Sequence, residues 1–134
     1  MRIAVDTSAL MALLLGEDDA DDLGRFLALV KPVVSAGSLI ELIRVATLRR
    51  GAGMRSEIDA LLVRFEFQTV PVDEAQVVLA ADGHARFGIG RGVPPAALNF
   101  GDLFAYALAR HLEAPLLFKG NDFTQTDITP ALPA

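Results

Sequence analysis

The sequence contains no cysteine. That excludes disulfides, thiolate metal sites and cysteine nucleophiles, and it suits a reducing compartment, so a cytoplasmic protein is expected. Basic residues are also in short supply. There are 12 lysines and arginines against 17 acids, a formal net charge of −5. A chain that binds nucleic acid through its surface charge usually shows the reverse. Either the partner is not a polyanion, or several acids gather at one place where metal cations cover them. No long hydrophobic run is present: the longest early one, Ala9–Leu15, is far too short to span a bilayer, and no membrane role is expected. Met1-Arg2 leads directly into Ile3-Ala4-Val5-Asp6, so no signal peptide is expected. Phosphate-binding P-loops, G-x-S-x-G elbows, repeats and low-complexity tracts are all missing.

What remains is 134 residues, 52% of them apolar and 22% charged. That length and composition predict one globular domain over residues 1–134. Short apolar runs alternate with helical stretches. Arg2–Asp6 reads as a strand, followed by helices over Ala9–Leu15 and Ala20–Val30, with Thr7-Ser8 as the cap of the first and Lys31-Pro32 as the break after the second. A strand over Val33–Ser35 leads to a helix from Gly37-Ser38 to Arg50, then a helix over Glu57–Phe65 and a strand over Phe67–Val72. Pro71 marks that strand as an edge. A long helix runs from Asp73 to Phe87, a Gly/Pro loop covers 88–95, and the last helix opens at Asn99-Phe100-Gly101-Asp102. Pro115–Phe118 is the final strand, and the tail from Thr129 reads as loose. Alternation of this kind predicts an α/β fold in three layers, a central, mostly parallel, twisted sheet of four to five short strands flanked by helices.

In such a sheet the strands deliver their carboxyl ends to one crevice. Asp6 ends the first strand, Glu41 lies one turn into the helix after the second, Asp102 opens the last helix, and Asp122 follows the last strand. Each also has a local reading: Asp6 as a strand-end turn, Glu41 as the capping-box partner of Ser38, Asp102 as that of Asn99, Asp122 as an Asx-turn. Gathered together, four carboxylates repel and need a compensating charge. Mg²⁺ supplies it with one or two direct carboxylates plus water and phosphate oxygens. A cation so held favours phosphodiester hydrolysis, because it lowers the pKa of water and steadies charge at phosphorus.

Four motifs carry a resemblance over nearly the whole chain: I-A-V-D-T-S-A-L from Ile3, S-L-I-E-L from Ser38, L-N-F-G-D-L-F-A-Y-A-L-A from Leu98 and P-L-L-F-K-G-N-D-F-x-x-T-D from Pro115. The chain resembles the PIN-domain ribonucleases, and more narrowly the VapC-type toxins of bacterial toxin–antitoxin pairs. The resemblance implies a Mg²⁺- or Mn²⁺-dependent endoribonuclease, an RNA substrate and a cognate antitoxin protein as partner. It makes Asp6 and Asp102 the main metal ligands, with Glu41 and Asp122 completing the catalytic pocket. Thr126 and Asp127 also match, as supports of the Asp122 loop, with Asp127 a further candidate for the metal shell.

Arg86, Arg91, Arg110 and Lys119 are candidate phosphate contacts. The lone His84 and His111 read as structural or solvated. The apolar helices Ala9–Leu15 and Leu39–Ala46 exceed what a small core hides, so a second chain is expected there, with a homodimer as the expected assembly; burial in the core is the alternative. Two other classes of function fit gathered acids: a phospho-acceptor signalling domain, for which Asp73 after the third strand is the one candidate, and a binding module whose acids are only caps.

Overall fold

The computed structural model describes residues 1–132. Four strands, β1 (Arg2–Val5), β2 (Lys31–Ser35), β3 (Gln68–Val70) and β4 (Leu116–Leu117), form one sheet in the order β3-β2-β1-β4. Every pairing is parallel: Ala4 sits opposite Val33 and Leu116, and Val34 opposite Thr69. Six helices connect them among the described residues: α1 (Thr7–Leu15), α2 (Ala20–Leu27), α3 (Ala36–Arg50), α4 (Met54–Arg64), α5 (Glu74–Phe87) and α6 (Phe100–Leu112).

The three layers follow from the two-residue period of the strands. Ile3 and Val5 of β1, Val34 of β2 and Leu117 of β4 face a core completed by Leu10, Leu23, Leu27, Leu42 and Ile58 from α1 to α4. Their neighbours Ala4, Val33 and Leu116 face the opposite side, where α6 lays Ala105, Leu108 and Ala109, joined by Phe87 of α5. Both faces of β1, β4 and the inner part of β2 are covered, so these strands carry apolar residues continuously instead of alternating with polar ones, whereas the edge strand β3 leaves Gln68 and Thr69 exposed. Complete burial of one such leucine contributes about 2 kcal/mol.

Several boundaries differ from the sequence reading. β2 begins at Lys31, so Lys31-Pro32 starts a strand instead of merely ending a helix; Pro32 stands at its second position, opposite Ile3. The cap of α1 is Asp6, whose side chain accepts from the Ser8 N–H, while Thr7 and Ser8 lie inside the helix. α4 starts three residues earlier than expected, at Met54. β3 is shortened to three residues, and it is an edge strand as Pro71 suggested. The tail is not loose as far as Ala131. Leu116 N–H donates to Thr129 O and Ala131 N–H to Leu116 O, both at 2.9 Å, which lays Pro130 beside β4. Pro133 and Ala134, the rest of that tail, lie outside the described residues.

β1 is flanked by β2 on one side and β4 on the other. The chain therefore leaves β1 in one direction and returns on its other side. That is the switch point at which open parallel sheets place their crevice.

Candidate active site

Asp6 emerges at the end of β1, where its own N–H still continues the ladder by donating to Leu117 O at 2.9 Å. Only 3% of the residue is exposed. One carboxylate oxygen, Oδ2, accepts from Ser8 N–H at 3.1 Å and from Ser8 Oγ at 2.7 Å. Ser8 Oγ in turn accepts from Lys119 N–H at 3.0 Å, which joins the ends of β1 and β4. The other oxygen, Oδ1, is buried with no hydrogen-bond partner. Burial pushes the Asp6 carboxyl above its ordinary range; the Ser8 bonds oppose this and the nearby Glu41 charge reinforces it.

Asp102 arrives from the other side. Asn99 caps α6, accepting from Asp102 N–H at 2.9 Å, and Asp102 returns the bond by accepting from Asn99 N–H at 3.0 Å. The capping-box reading of this pair is thus correct, and it also orients the carboxylate. Asp102 is 9% exposed. Its carboxyl is pushed up to about 7, first by burial and then by the negative charges of Asp6, Asp122 and Glu41, against the opposing Asn99 bond. All three other acids raise this one group, which places them around one crevice, although among the described residues no three acids stand close enough together to hold a metal ion.

Glu41 reaches the crevice from α3. The cap of that helix is Ser35, which accepts from Gly37 N–H at 3.1 Å. Ser38 sits inside the first turn with its hydroxyl buried and unpartnered, so the proposed Ser38–Glu41 capping box does not form. The Glu41 carboxylate instead fills the space above Gly101, where any Cβ would collide with Oε2. Asp122 is half-buried, just before the buried Phe123. Among the described residues no hydrogen bond holds its carboxylate, so the Asx-turn reading is not realised. The turn is closed by Thr124, which donates to Asn121 O through both its N–H and its Oγ1.

A family model for the PIN domain matches residues 3–128. Ribonuclease VapC28 of Mycobacterium tuberculosis is 43% identical over 129 residues, which span 96% of each chain. This chain belongs to the PIN-domain family, among the VapC ribonucleases. Ribonuclease VapC42 of the same organism is 40% identical over 128 residues, 95% of this chain and 97% of that one. Two solved structures share the PIN fold. The Sarcin-Ricin loop cleaving toxin VapC20 of M. tuberculosis superimposes with a TM-score of 0.77 at 19% identity, covering 98% of this chain and 99% of that one. VapBC2 from Rickettsia felis, bound to a DNA fragment from its promoter, gives 0.75 at 14% identity and 97% of both chains.

Other candidates around this PIN-domain crevice fare differently. Lys119 is held by Glu17 at 2.6 Å and Asp19 at 3.0 Å. Arg86 and Arg110 are paired with Asp82 and Asp127. Of the four candidate phosphate contacts only Arg91 has no ion pair among the described residues. The carboxylate of Asp127, the further candidate for the metal shell, is engaged by Tyr106, Arg86 and Arg110. Thr126 does support the Asp122 loop: its Oγ1 donates to Phe123 O at 2.6 Å and accepts from Ile128 N–H at 3.2 Å. Asp73 caps α5 by accepting from Gln76 N–H at 2.9 Å and faces His111 at 3.8 Å, which removes the phospho-acceptor candidate. A cavity of about 710 Å³ between α1, α2 and α4 contains none of the four acids. Ser8 and Gly101 are the site residues whose roles sequence reasoning missed. Both lie inside quoted motifs, but only the fold shows that one braces Asp6 and the other makes room for Glu41.

Proposed function

We propose that the crevice formed by Asp6, Glu41, Asp102 and Asp122 is the catalytic centre of this chain, and that Asp6 and Asp102 hold a Mg²⁺ or Mn²⁺ ion there. At 43% identity over 96% of both chains the activity of the VapC ribonucleases extends to this one. It is an RNA-cleaving hydrolase, the toxin of a toxin–antitoxin pair.

The observation that carries the site reading is Asp6 Oδ1, a buried carboxylate oxygen with no partner, beside a second buried carboxyl that burial first, and then its acidic neighbours, push up to about 7. A buried charge left uncompensated is costly. Hard oxygen donors at that density fit a small divalent cation. Among the described residues no three acids are preformed as a complete ligand set. When bound, such an ion activates water and neutralises charge developing on the phosphate. Ser8 and the capping box of α6 fix the two ligands. Glu41 and Asp122, both half-buried, line the crevice; one of them would take a proton from the attacking water as its oxygen joins phosphorus, while the P–O bond to the leaving ribose oxygen breaks and that oxygen takes a proton from solvent. The net charge of −5 repels RNA, so the cation also lets the polyanion approach.

The partner is a cognate antitoxin. Exposed apolar residues on α3 (Ile40, Leu48), α5 (Val77, Val78) and α6 (Phe100) offer surface to such a chain and to a second copy in a homodimer. By contrast α1, which the sequence also marked for a partner, is largely core. Among the described residues no helix is long and apolar enough to cross a membrane; an RNA substrate and the lack of cysteine suit the cytoplasm. The test is incubation with a panel of structured RNAs in Mg²⁺, in Mn²⁺ and in chelator. Discrete cleavage in either metal and none in chelator is expected. Equal cleavage in chelator would sink the metal-dependent reading.

A further inference from the structure

Asp127 stands outside the crevice in a closed network of charge. Tyr106 Oη donates to its Oδ1 at 2.8 Å, Arg86 donates to Oδ2 at 3.3 Å, and Arg110 Nε lies 3.5 Å from the same oxygen. Arg110 also donates to Tyr106 Oη at 3.1 Å and to Asp82 at 2.7 Å, and Arg86 donates to Asp82 at 3.1 Å. Each carboxylate thus meets two guanidiniums. Burial, and then the bond to Asp127, push the Tyr106 phenol up to about 12, which keeps it a donor at any physiological pH.

The network ties α5, α6 and the segment after β4 together. On α6 the residues Asp102, Tyr106 and Arg110 recur every four positions, one row of the helix. Asp127 lies five residues beyond Asp122, in a stretch of turns. That stretch is anchored near Asp122 by Phe123, 2% exposed and 5.1 Å from Phe118. The same stretch is held on either side by backbone bonds, Ala97 N–H to Asp122 O at 3.4 Å and Leu116 N–H to Thr129 O at 2.9 Å; between them the Asp127 side chain adds a charged fixed point on α5 and α6. The Tyr106 ring that supplies this point is itself lodged in space left by Gly83, where a Cβ would strike it.

We propose that Asp127 is a positioning residue: through Tyr106, Arg86 and Arg110 it fixes the Lys119–Asp127 segment against α6 and so sets the separation of Asp122 from Asp102. The inference rests on those two acids belonging to the catalytic centre. Charge-assisted bonds of this kind are strong as well as directional. A network that served stability alone would leave the crevice unchanged at temperatures well below melting, whereas a positioning network would not.

Two mild variants separate these roles. Asp127→Asn removes the charge and Tyr106→Phe removes only the hydroxyl, and both leave the packing in place. Mn²⁺ affinity is measured by calorimetry, and kcat and KM on a cleaved RNA, well below every melting temperature. Each variant is expected to weaken Mn²⁺ binding and lower kcat on the order of tenfold with KM unchanged, as misplacement of one supporting group does. The double variant is expected to be no worse than the worse single one, because the two residues form one link. Lower melting temperatures with wild-type Mn²⁺ affinity and kcat in both variants would overturn the inference. Asp122→Asn is run in parallel. If it weakens both quantities while Asp127→Asn changes neither, this inference alone falls. If Asp122→Asn also changes neither, Asp122 is not part of the centre and the inference falls with it.

Discussion

Asp102 closes a capping box and faces three other acids. The first role needs only an acceptor; the second makes ionisation unfavourable until something positive arrives. The sign of the resulting pH dependence follows. The Asp102 carboxyl titrates near 3.8 in the unfolded chain and near 7 in the folded protein. Between those values the folded state holds a proton that the unfolded state has released, so its contribution to stability is complete below about pH 4 and is lost as the pH rises toward 7. Asp6 is shifted in the same direction. With chelator present, the urea midpoint of the wild type is expected to fall across that window more steeply than that of Asp102→Asn. Parallel slopes would show that Asp102 is not raised. A second residue-scale test is Gly101→Ala. Alanine suits a helix start, but its Cβ displaces the Glu41 carboxylate. Cleavage is expected to drop on the order of tenfold with the fold retained; wild-type activity would show that the seat of Glu41 does not matter.

At the scale of elements, contact between α5 and α6 depends on an absence. Gly83 admits the Tyr106 ring to within a distance that no Cβ allows. Gly83→Ala is expected to lower stability by about 1–3 kcal/mol through overpacking, even though alanine is the better helix former. A denaturant midpoint at or above the wild type would contradict this packing. The same scale shows what could be read from the sequence. β1, β4 and α6 were legible because an apolar run ends on a polar signal. The start of β2 was not, because Lys31-Pro32 reads as a stop wherever it occurs, while pairing with β1 is a long-range event. α1 reads as a partner surface because it is apolar all round, yet a helix of that kind is the one most easily buried, here among α2, α3 and α4. The four acids stand out in the sequence because each follows a strand end or lies in the first turns of a helix, and the parallel order puts those places on one edge. The ion pairs of Asp127 were not legible because its arginine partners lie 17 and 41 positions away in sequence, where no local pattern reveals them.

For the whole molecule, the proposed cation joins an acidic chain to an acidic substrate. An ion that binds only the folded state stabilises it by mass action, by about 2.7 kcal/mol at a hundred times its dissociation constant. Millimolar Mn²⁺ is therefore expected to raise the melting temperature of the wild type, and the gain is expected to vanish in the Asp6→Asn, Asp102→Asn double variant. An equal rise in both would mark a non-specific salt effect. The most direct test of the central claim is the rate of RNA cleavage by wild type and Asp102→Asn, side by side, in Mn²⁺. Asparagine keeps the N–H and C=O of the α6 start and an acceptor for Asn99, so the fold is expected to persist. A loss of at least about a hundredfold in rate is expected, with a circular dichroism spectrum like that of the wild type. Cleavage by Asp102→Asn at the wild-type rate would contradict it.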